Sequence, residues 1–437
     1  MRKIDTFYIR TYGCQMNELD SEIIVGILER RGLVRSHDEN IADLLIFNTC
    51  SIRDLAERKV MGKLGQLGIT RKDRPIFGIA GCMANAKKEE LFKKLPHIDF
   101  LIGPNNIHEL DDVLDTVLSD RKKVARTDEQ FHRDPDYSLA SRDDHLKAYV
   151  SIIRGCDKFC SYCIVPYTRG REVSRPPDDI VEECRSLAAK GYREITLLGQ
   201  NVNSYGKDKT EWGLRFHDLL YRLDNIKGLE RIRFMTSHPV DITRGLMEAI
   251  RDIPSVCEFI HFPIQSGSDR ILKKMNRKYT AEDYLNKVHM LKELVPGVAL
   301  GTDIIVGFPT ESDDDFAATY RILEEIGYST AFLFAYSSRK GTVAARWQDD
   351  VSEEIKGERL HKLLALQDTI YEKYNKTMCN TTVEVLVERI NNRDDSQIKG
   401  RTRHWKNVLF SGDKSLIGTL QQVKIKSYKH QTLLGEL

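Results

Sequence analysis

The chain is expected to be an α/β protein in three parts: an N-terminal open parallel-sheet α/β domain, a central partial (βα)6 barrel, and a small antiparallel β-barrel at the C-terminus. Three observations lead there. Apolar strand-like runs alternate with amphipathic helical runs from Thr6 to Ile326, a pattern that builds parallel sheets covered by helices. A polar, charged stretch between Asp120 and Lys147 interrupts the alternation and reads as a connecting arm with little structure of its own. After Asn375 the pattern changes to short alternating strands punctuated by Gly400, Gly412 and Gly418. The expected divisions are 1–120, 142–373 and 375–437.

In the first part, Thr6–Tyr12 is a β-type run and Glu18–Arg30 has helical apolar spacing through Leu19, Ile23, Ile24, Ile27 and Leu28. Asp43–Asn48, Pro75–Ala80 and Phe100–Ile102 are further strand candidates. In the second part, strands are expected at Ala148–Ile153, Glu194–Leu198, Arg231–Met235, Phe259–Ile264, Ala299–Val306 and Thr330–Ala335. Helices are expected between them at Pro177–Ala189, His217–Leu223, Ile242–Arg251, Asp269–Lys274, Ala281–Leu294 and Asp313–Ile326. A helix from Ser352 to about Tyr374 leads to the third part, where Val383–Val387, Asn407–Phe410, Ser415–Thr419 and Val423–Ile425 read as strands.

A chain of 437 residues with 41% hydrophobic content can bury large cores, and a net charge of +2 excludes a generic polyanion binder. The charge is unevenly placed. From Asn375 onward there are 11 Lys/Arg against 6 Asp/Glu, which marks the tail as the part suited to nucleic acid. No signal-type apolar segment follows Met1 and no run approaches membrane-spanning length, so a soluble, cytoplasmic protein is expected. Nine Cys then point to thiolate chemistry instead of disulfides.

Cys156, Cys160 and Cys163 stand at CxxxCxxC spacing. Soft sulfur ligands select iron–sulfur or zinc sites, and iron–sulfur clusters commonly take four Cys. Three can hold a [4Fe-4S] cube and leave one iron open for another ligand. A structural zinc knuckle is the competing reading, but it needs a fourth Cys or His nearby and none follows before Cys184. Cys14, Cys50 and Cys82 each come just past a predicted strand end. Ligands of open parallel sheets bind at that edge, so these three are expected to converge on a second cube; three unrelated buried thiols are the alternative. Cys184, Cys257 and Cys379 have no partner at metal spacing and read as packing thiols.

With these residues in place, the chain resembles the radical S-adenosylmethionine (SAM) methylthiotransferases along its whole length. Thr11-Tyr-Gly-Cys-Gln-Met-Asn17, with Asp20-Ser-Glu22 after it, is similar to the motif of the branch that modifies dimethylallylated adenosine in tRNA. The branch acting on a ribosomal protein typically carries Leu-Gly-Cys-x-Lys-Asn, and the threonylcarbamoyladenosine branch Gly-Cys-Lys-Val-Asn. Gly155-Cys156 through Pro166-Tyr-Thr-Arg-Gly-Arg171, and Gln265-Ser-Gly-Ser-Asp269, match the core of the family. Gly400-Arg-Thr402 and Leu416-Ile-Gly418 look like a TRAM domain, an RNA-binding module. The chain departs from the family at Thr310, where Gly is common, and at Arg403-His404-Trp405, which replaces an Asp/Asn-rich loop.

The resemblance implies two [4Fe-4S] clusters, held by Cys156, Cys160 and Cys163 and by Cys14, Cys50 and Cys82. It implies radical methylthiolation of C2 of N6-(dimethylallyl)adenosine at position 37 of tRNA, using two SAM and a sulfur delivered through the auxiliary cluster. The other two branch targets, and a non-catalytic zinc-holding RNA scaffold, are the alternatives. Tyr162, Gly199, Gln200, Ser237, Gln265 and Asp303, at the cluster loop and the barrel strand ends, are candidates to meet SAM. Arg169, Arg171 and Arg175 would meet phosphate or the SAM carboxylate, or form a solvated face. His238 reads as a turn residue. In the tail, Lys399, Arg401, Arg403 and Lys406 are candidates for RNA. The implied partners are a tRNA anticodon stem-loop, a flavodoxin or ferredoxin as reductant, and cluster or sulfur delivery proteins, with no membrane and a monomeric chain.

Overall fold

Strands rich in β-branched and aromatic residues bury on both faces when helices cover them, and Leu44–Thr49 and Ile76–Ala80 are buried at every position. A computed structural model describes residues 4–51, 54–71, 73–120, 122–130 and 135–437. Ile52 and Arg53 of the second Cys segment, and residues 121 and 131–134 of the connecting arm, lie outside the described residues. The first part is a six-stranded sheet, parallel throughout. Its central strands are Thr6–Tyr12, Leu44–Thr49, Ile76–Ala80 and Phe100–Ile102. Two edge strands were not expected. Val34–Arg35 pairs beside Thr6–Tyr12, and Val124–Arg126, inside the supposed arm, adds beyond Phe100–Ile102. The arm is further tied down at Tyr137, which is buried beneath the Arg175 guanidinium at 3.9 Å. Its polar composition concealed a strand of three residues, too short to show a period.

The central part forms two three-stranded parallel sheets, Lys147–Ser151 with Glu194–Leu198 and Arg231–Phe234, and Phe259–His261 with Ala299–Val306 and Thr330–Ala335. Arg231–Phe234 of the first meets the segment leading into Phe259–His261 of the second at the isolated bridge Ile232–Val256, so the barrel is curved and open. The expected helices form within a few residues of their reading, and Thr280 and Ser312 start two of them with capping boxes. Among the described residues, no helix is long and apolar enough to cross a membrane.

The tail closes into a five-stranded barrel around Val385, Val387, Ile398, Val408, Phe410, Val423, Ile425 and Leu433. One seam, Asn407–Ser411 with Thr432–Glu436, is parallel. Ser415–Thr419 is a 3-10 turn and loop instead of a strand, because Asp413 Oδ1 accepts from Ser415 N at 2.8 Å and caps the turn. Asp394–Thr402 and Thr432–Glu436 are strands that charge and polar residues on the solvent face had hidden.

This barrel docks on the N-terminal ends of the central strands, away from their carboxyl ends. The Arg403-His404-Trp405 loop is the plug. Trp405 stacks on Phe259 at 5.8 Å and 17°, with the Arg233 and Arg401 guanidinium groups 4.9 and 4.4 Å from its ring. Arg403 makes a bidentate pair with Glu258 at 2.7 and 2.8 Å. The fully buried Arg231 donates to Glu384 Oε1 at 2.8 Å and to Arg401 O at 2.8 Å. Trp405→Ala should therefore cost about 2 kcal/mol, less than a fully buried aromatic because the ring is half-buried. The checks are a lower midpoint in urea and faster proteolysis between the central barrel and the tail; unchanged values of both would refute the anchor.

Candidate cluster and SAM site

Cys14, Cys50 and Cys82 emerge at the carboxyl edge of the first sheet, each where a strand hands over to a loop or helix. Cys14 is the N-cap of Gln15–Arg30, and its carbonyl accepts from Asn17 N at 2.9 Å. Cys50 N donates to Tyr12 O at 2.9 Å, which holds the second strand end beside the first. Cys82 opens the helix Cys82–Lys87 after Gly81, whose φ of +89° is a conformation that suits Gly. A Cβ on Gly81 would fall 2.3 Å from Asn48 Oδ1. That oxygen accepts from Asn17 Nδ2 at 3.0 Å, so one buried amide pair braces all three turns.

The thiols interact. A hydrogen bond with Cys50 and the charge of Arg169 pull the Cys14 thiol down to about 6 against its burial. Burial pushes the Cys82 thiol up, although Arg169 opposes it. The three thiols are thus brought near one another.

The second thiol group lies on the loop after Lys147–Ser151. Gly155 (φ +73°) begins it, and its amide donates to Gln200 Oε1 at 2.5 Å. Cys156 N donates to Gly170 O at 3.1 Å and Cys163 N to Cys160 O at 2.9 Å. Burial pushes Cys156 up, and burial followed by the Cys160 charge pushes Cys163 up to about 12. Burial thus disfavours the thiolate at Cys156 and Cys163; bound iron would take up that charge and offset the cost. Among the described residues, no three His, Cys, Asp or Glu side chains crowd closely enough to chelate a single metal ion. The soft donor set suits a cluster that several sulfurs grip from different sides.

Residues with no motif of their own hold this loop. Asn276 Nδ2 donates to Phe159 O at 2.9 Å, and Arg277 Nη1 to Cys160 Sγ at 3.4 Å. Ser161 N donates to Met275 O at 3.0 Å. Lys158 pairs with Asp241 at 2.7 Å, and Asn201 and Lys207 reach the same carboxylate at 2.6 Å. No sequence pattern announces Asn276, Arg277 or Asp241, because their partners lie far away along the chain.

The two thiol groups face one another. Helix Cys82–Lys87 packs on helix Val165–Thr168, and Asn85 Nδ2 donates to Thr168 O at 2.9 Å. Arg169 follows at once, buried, with Nε donating to Cys82 Sγ at 3.3 Å and Nη2 to Asp20 Oδ2 at 2.7 Å. Arg154 donates to the other Asp20 oxygen at 3.1 Å. Two of the three candidate arginines therefore depart from expectation, and Arg171 fits the solvated face that was the alternative. Arg169 and Arg175 are buried cross-links, the latter to Ser151 O at 2.6 Å and Glu183 at 2.8 Å. Arg171 is exposed and forks onto Asp157 at 2.6 and 3.1 Å.

The other candidates line the carboxyl ends of the barrel strands. Tyr162 lies edge-on to Phe308 at 6.5 Å. Gly199 leaves room for Ile153, which a Cβ would meet at 2.4 Å. Gln200 is committed to Gly155. Ser237 is buried and its hydroxyl has no partner among the described residues. Gln265 takes φ +74° and its amide donates to Asp303 O at 2.9 Å. Asp303 Oδ2 lies 3.2 Å from His261 Nε2, and His261 Nδ1 is buried without a partner among the described residues. Unsatisfied buried polar atoms are costly unless a ligand or water serves them, so these ends fit a polar ligand such as SAM. His238 caps the turn Pro239–Asp241 through Nδ1, as expected of a turn residue. Thr310 takes φ +71°, a strained conformation for a β-branched residue; Asp350 Oδ1 accepts its amide hydrogen at 2.6 Å and Arg270 donates to its carbonyl at 2.5 Å.

Comparison with known proteins places this architecture among named ones. Residues 150–323 match the Radical SAM superfamily, 6–103 the Uncharacterized protein family UPF0004, and 376–437 the TRAM domain. The chain is 68% identical over 437 residues to tRNA-2-methylthio-N(6)-dimethylallyladenosine synthase of Protochlamydia amoebophila, covering 100% of this chain and 97% of the relative. It is 47% identical over 435 residues to the synthase of the same name from Thermoanaerobacter pseudethanolicus, covering 99% and 92%. A radical S-adenosylmethionine methyltransferase, TsrM, of Kitasatospora setae shares the fold at TM-score 0.58 and 14% identity, over 78% of this chain and 77% of that one.

Proposed function

Because the chain belongs to the tRNA-2-methylthio-N(6)-dimethylallyladenosine synthase family of radical SAM methylthiotransferases, we propose that it methylthiolates C2 of N6-(dimethylallyl)adenosine at position 37 of tRNA. The observation that carries this reading is the pair of three-thiol groups set against each other across Arg169. Cys156, Cys160 and Cys163 hold one [4Fe-4S] cluster, and Cys14, Cys50 and Cys82 an auxiliary one. When bound, the clusters and SAM supply one-electron cleavage of SAM and a methylated sulfur, chemistry needed because an aromatic C–H bond offers no acidic proton to a base.

The protein's part is placement. Gln200, Asn276 and the Lys158–Asp241 pair fix the cluster loop so that its sulfurs keep one geometry. Ser237 Oγ and the His261–Asp303 pair meet polar groups of SAM, and Tyr162 packs beside it. Gly199 admits the close approach of the strand ends. Gln265, held backwards by its positive φ, turns the chain toward the same face. The divisions 1–120, 142–373 and 375–437 correspond to sulfur delivery, radical formation and RNA binding. The protein works in the cytoplasm as a monomer, with a flavodoxin or ferredoxin as reductant and a separate source of sulfur.

RNA meets the tail on the side turned away from the plug. Arg401 and Arg403 are spent on Trp405 and Glu258, and Lys406 is buried, donating to Ser329 O at 2.8 Å. Lys399 instead lines a cleft of about 410 Å3 with Arg389 and Arg393. Among the described residues, no carboxylate forms an ion pair with any of the three. Replacing all three by Ala should weaken binding of an anticodon stem-loop and reduce the slope of log K against log salt by about 2, at ~0.7 per phosphate contact. Fluorescence anisotropy at several salt concentrations reads this; an unchanged slope would place the RNA elsewhere.

The activity itself is tested with anaerobically reconstituted protein, SAM, a one-electron reductant, sulfide and a stem-loop carrying the dimethylallylated adenosine. Mass spectrometry of the nucleosides should show a methylthio group gained on that base. A colourless protein holding zinc, or a brown protein that leaves the base unchanged, would refute the reading.

A further inference from the structure

Successive residues of a strand point to opposite faces, and Thr330–Ala335 divides its side chains accordingly. Ala331 and Leu333 pack into the core between barrel and helices, with Ile304 and Val306 of the neighbouring strand. Phe332 and Phe334 point the other way, into the barrel lumen. They are paired in register with Asp303 and Ile305, so these four side chains share one face. His261 belongs to it too, with Nε2 3.2 Å from Asp303 Oδ2 and its ring edge-on to Phe332 at 5.9 Å. Gly301, two residues before Asp303, makes room there; a Cβ on it would fall 2.8 Å from Phe259 Cζ and 3.1 Å from His261 Nδ1. Phe259, stacked on Trp405, is thus the floor of the lumen, and the two rings are one wall.

The wall is uncovered: Phe332 is 39% and Phe334 37% exposed. Single exposed apolar residues need no explanation. Here two of them stand together in a concave site whose Ser237 Oγ and His261 Nδ1 are buried without partners among the described residues, the mixture of apolar wall and few polar groups that ligand sites share. Thr330–Ala335 is also the last strand of its sheet, and among the described residues no strand pairs with its outer edge. The wall therefore borders the open side of the barrel. Ser237, His261 and Asp303 suit the polar groups of SAM, whereas the substrate brings a branched apolar arm on N6 that is unfavourable in water.

Resting on the reading of the chain as a methylthiotransferase of dimethylallylated adenosine, we propose that Phe332 and Phe334 set its specificity by receiving the dimethylallyl group. They touch the substrate and take no part in bond making. Covering the arm with two rings supplies binding energy remote from the reacting atom, and that energy holds C2 in place. An adenosine without the arm leaves the rings in water and C2 unanchored.

The test uses the full-length, reconstituted protein and two anticodon stem-loops, alike except that one carries the dimethylallyl group. The wild type should bind that one more tightly in fluorescence anisotropy, and Phe332→Ala with Phe334→Ala should cut the preference about tenfold. Binding of the plain stem-loop, and the KM for SAM in 5′-deoxyadenosine formation, should hold. If the double variant loses iron, Phe334→Gln alone, at a position already open to solvent, should cut the preference as well. An undiminished preference overturns the inference. So does a raised KM for SAM, which puts the adenine of SAM on the wall, or equal weakening with both stem-loops, which puts a base there. In those cases wild-type methylthiolation of the dimethylallylated stem-loop still stands. A wild type that leaves that base unchanged refutes the function itself, and the inference with it.

Discussion

A Cys82→Ala chain should still split SAM to 5′-deoxyadenosine but form no methylthiolated adenosine, whereas a Cys163→Ala chain should do neither. Loss to background is expected in each case, since a cube held by two protein sulfurs has lost a third of its anchorage. The two groups stand on separate scaffolds: Cys82 opens a helix of the N-terminal sheet, and Cys163 ends the cluster loop of the central barrel. Damage at one leaves the other in place. Removal of Cys82 Sγ deprives Arg169 of one partner, but Asp20, which it shares with Arg154, continues to hold it. The fold should persist, and an unchanged far-UV spectrum with half the iron would establish that. Chromatography of the products separates the outcomes, and full methylthiolation by Cys82→Ala would sink the convergence of the first-sheet thiols.

Asp20→Asn should cost about 3–5 kcal/mol, because it removes the one carboxylate that two buried guanidinium groups share. Asp20 is fully buried, and each of its oxygens holds an arginine from the central domain, Arg154 at 3.1 Å and Arg169 at 2.7 Å. The isosteric amide keeps the shape and removes the charge, so a cavity plays no part. Denaturant unfolding of the metal-free chain measures the loss. A second substitution, Arg169→Met, should recover part of it, since one of the two buried cations is then gone; strict additivity of the two effects would show that the pair is not coupled.

Much of the candidate site was legible because metal ligands obey short spacings. Cys156, Cys160 and Cys163 announce themselves within eight residues, and strand-end placement linked Cys14, Cys50 and Cys82 across three βα units. Arg169 and Arg175 were misjudged for the opposite reason. Nothing in Thr168-Arg169-Gly170-Arg171 distinguishes a buried cross-link from an exposed fork, yet Arg169 is 3% exposed and the Arg171 side chain 73%. Charge in the tail left the individual residues undetermined in the same way. Its excess of Lys and Arg suggested RNA, while the Arg403 and Lys406 side chains hold the tail to the core and that of Arg401 lies on Trp405.

Sequence alone determined the α/β alternation, the two three-thiol sets and the chemistry they permit, because periodicity and ligand spacing are local properties of a chain. Only the tertiary structure decided which cations meet which anions: Asp20 with two arginines, Arg277 with none but a thiol, and Trp405 as the plug beneath the barrel. Such pairings join residues more than a hundred positions apart. Their strength comes from burial and a low local dielectric, and those exist only once the domains have closed on each other.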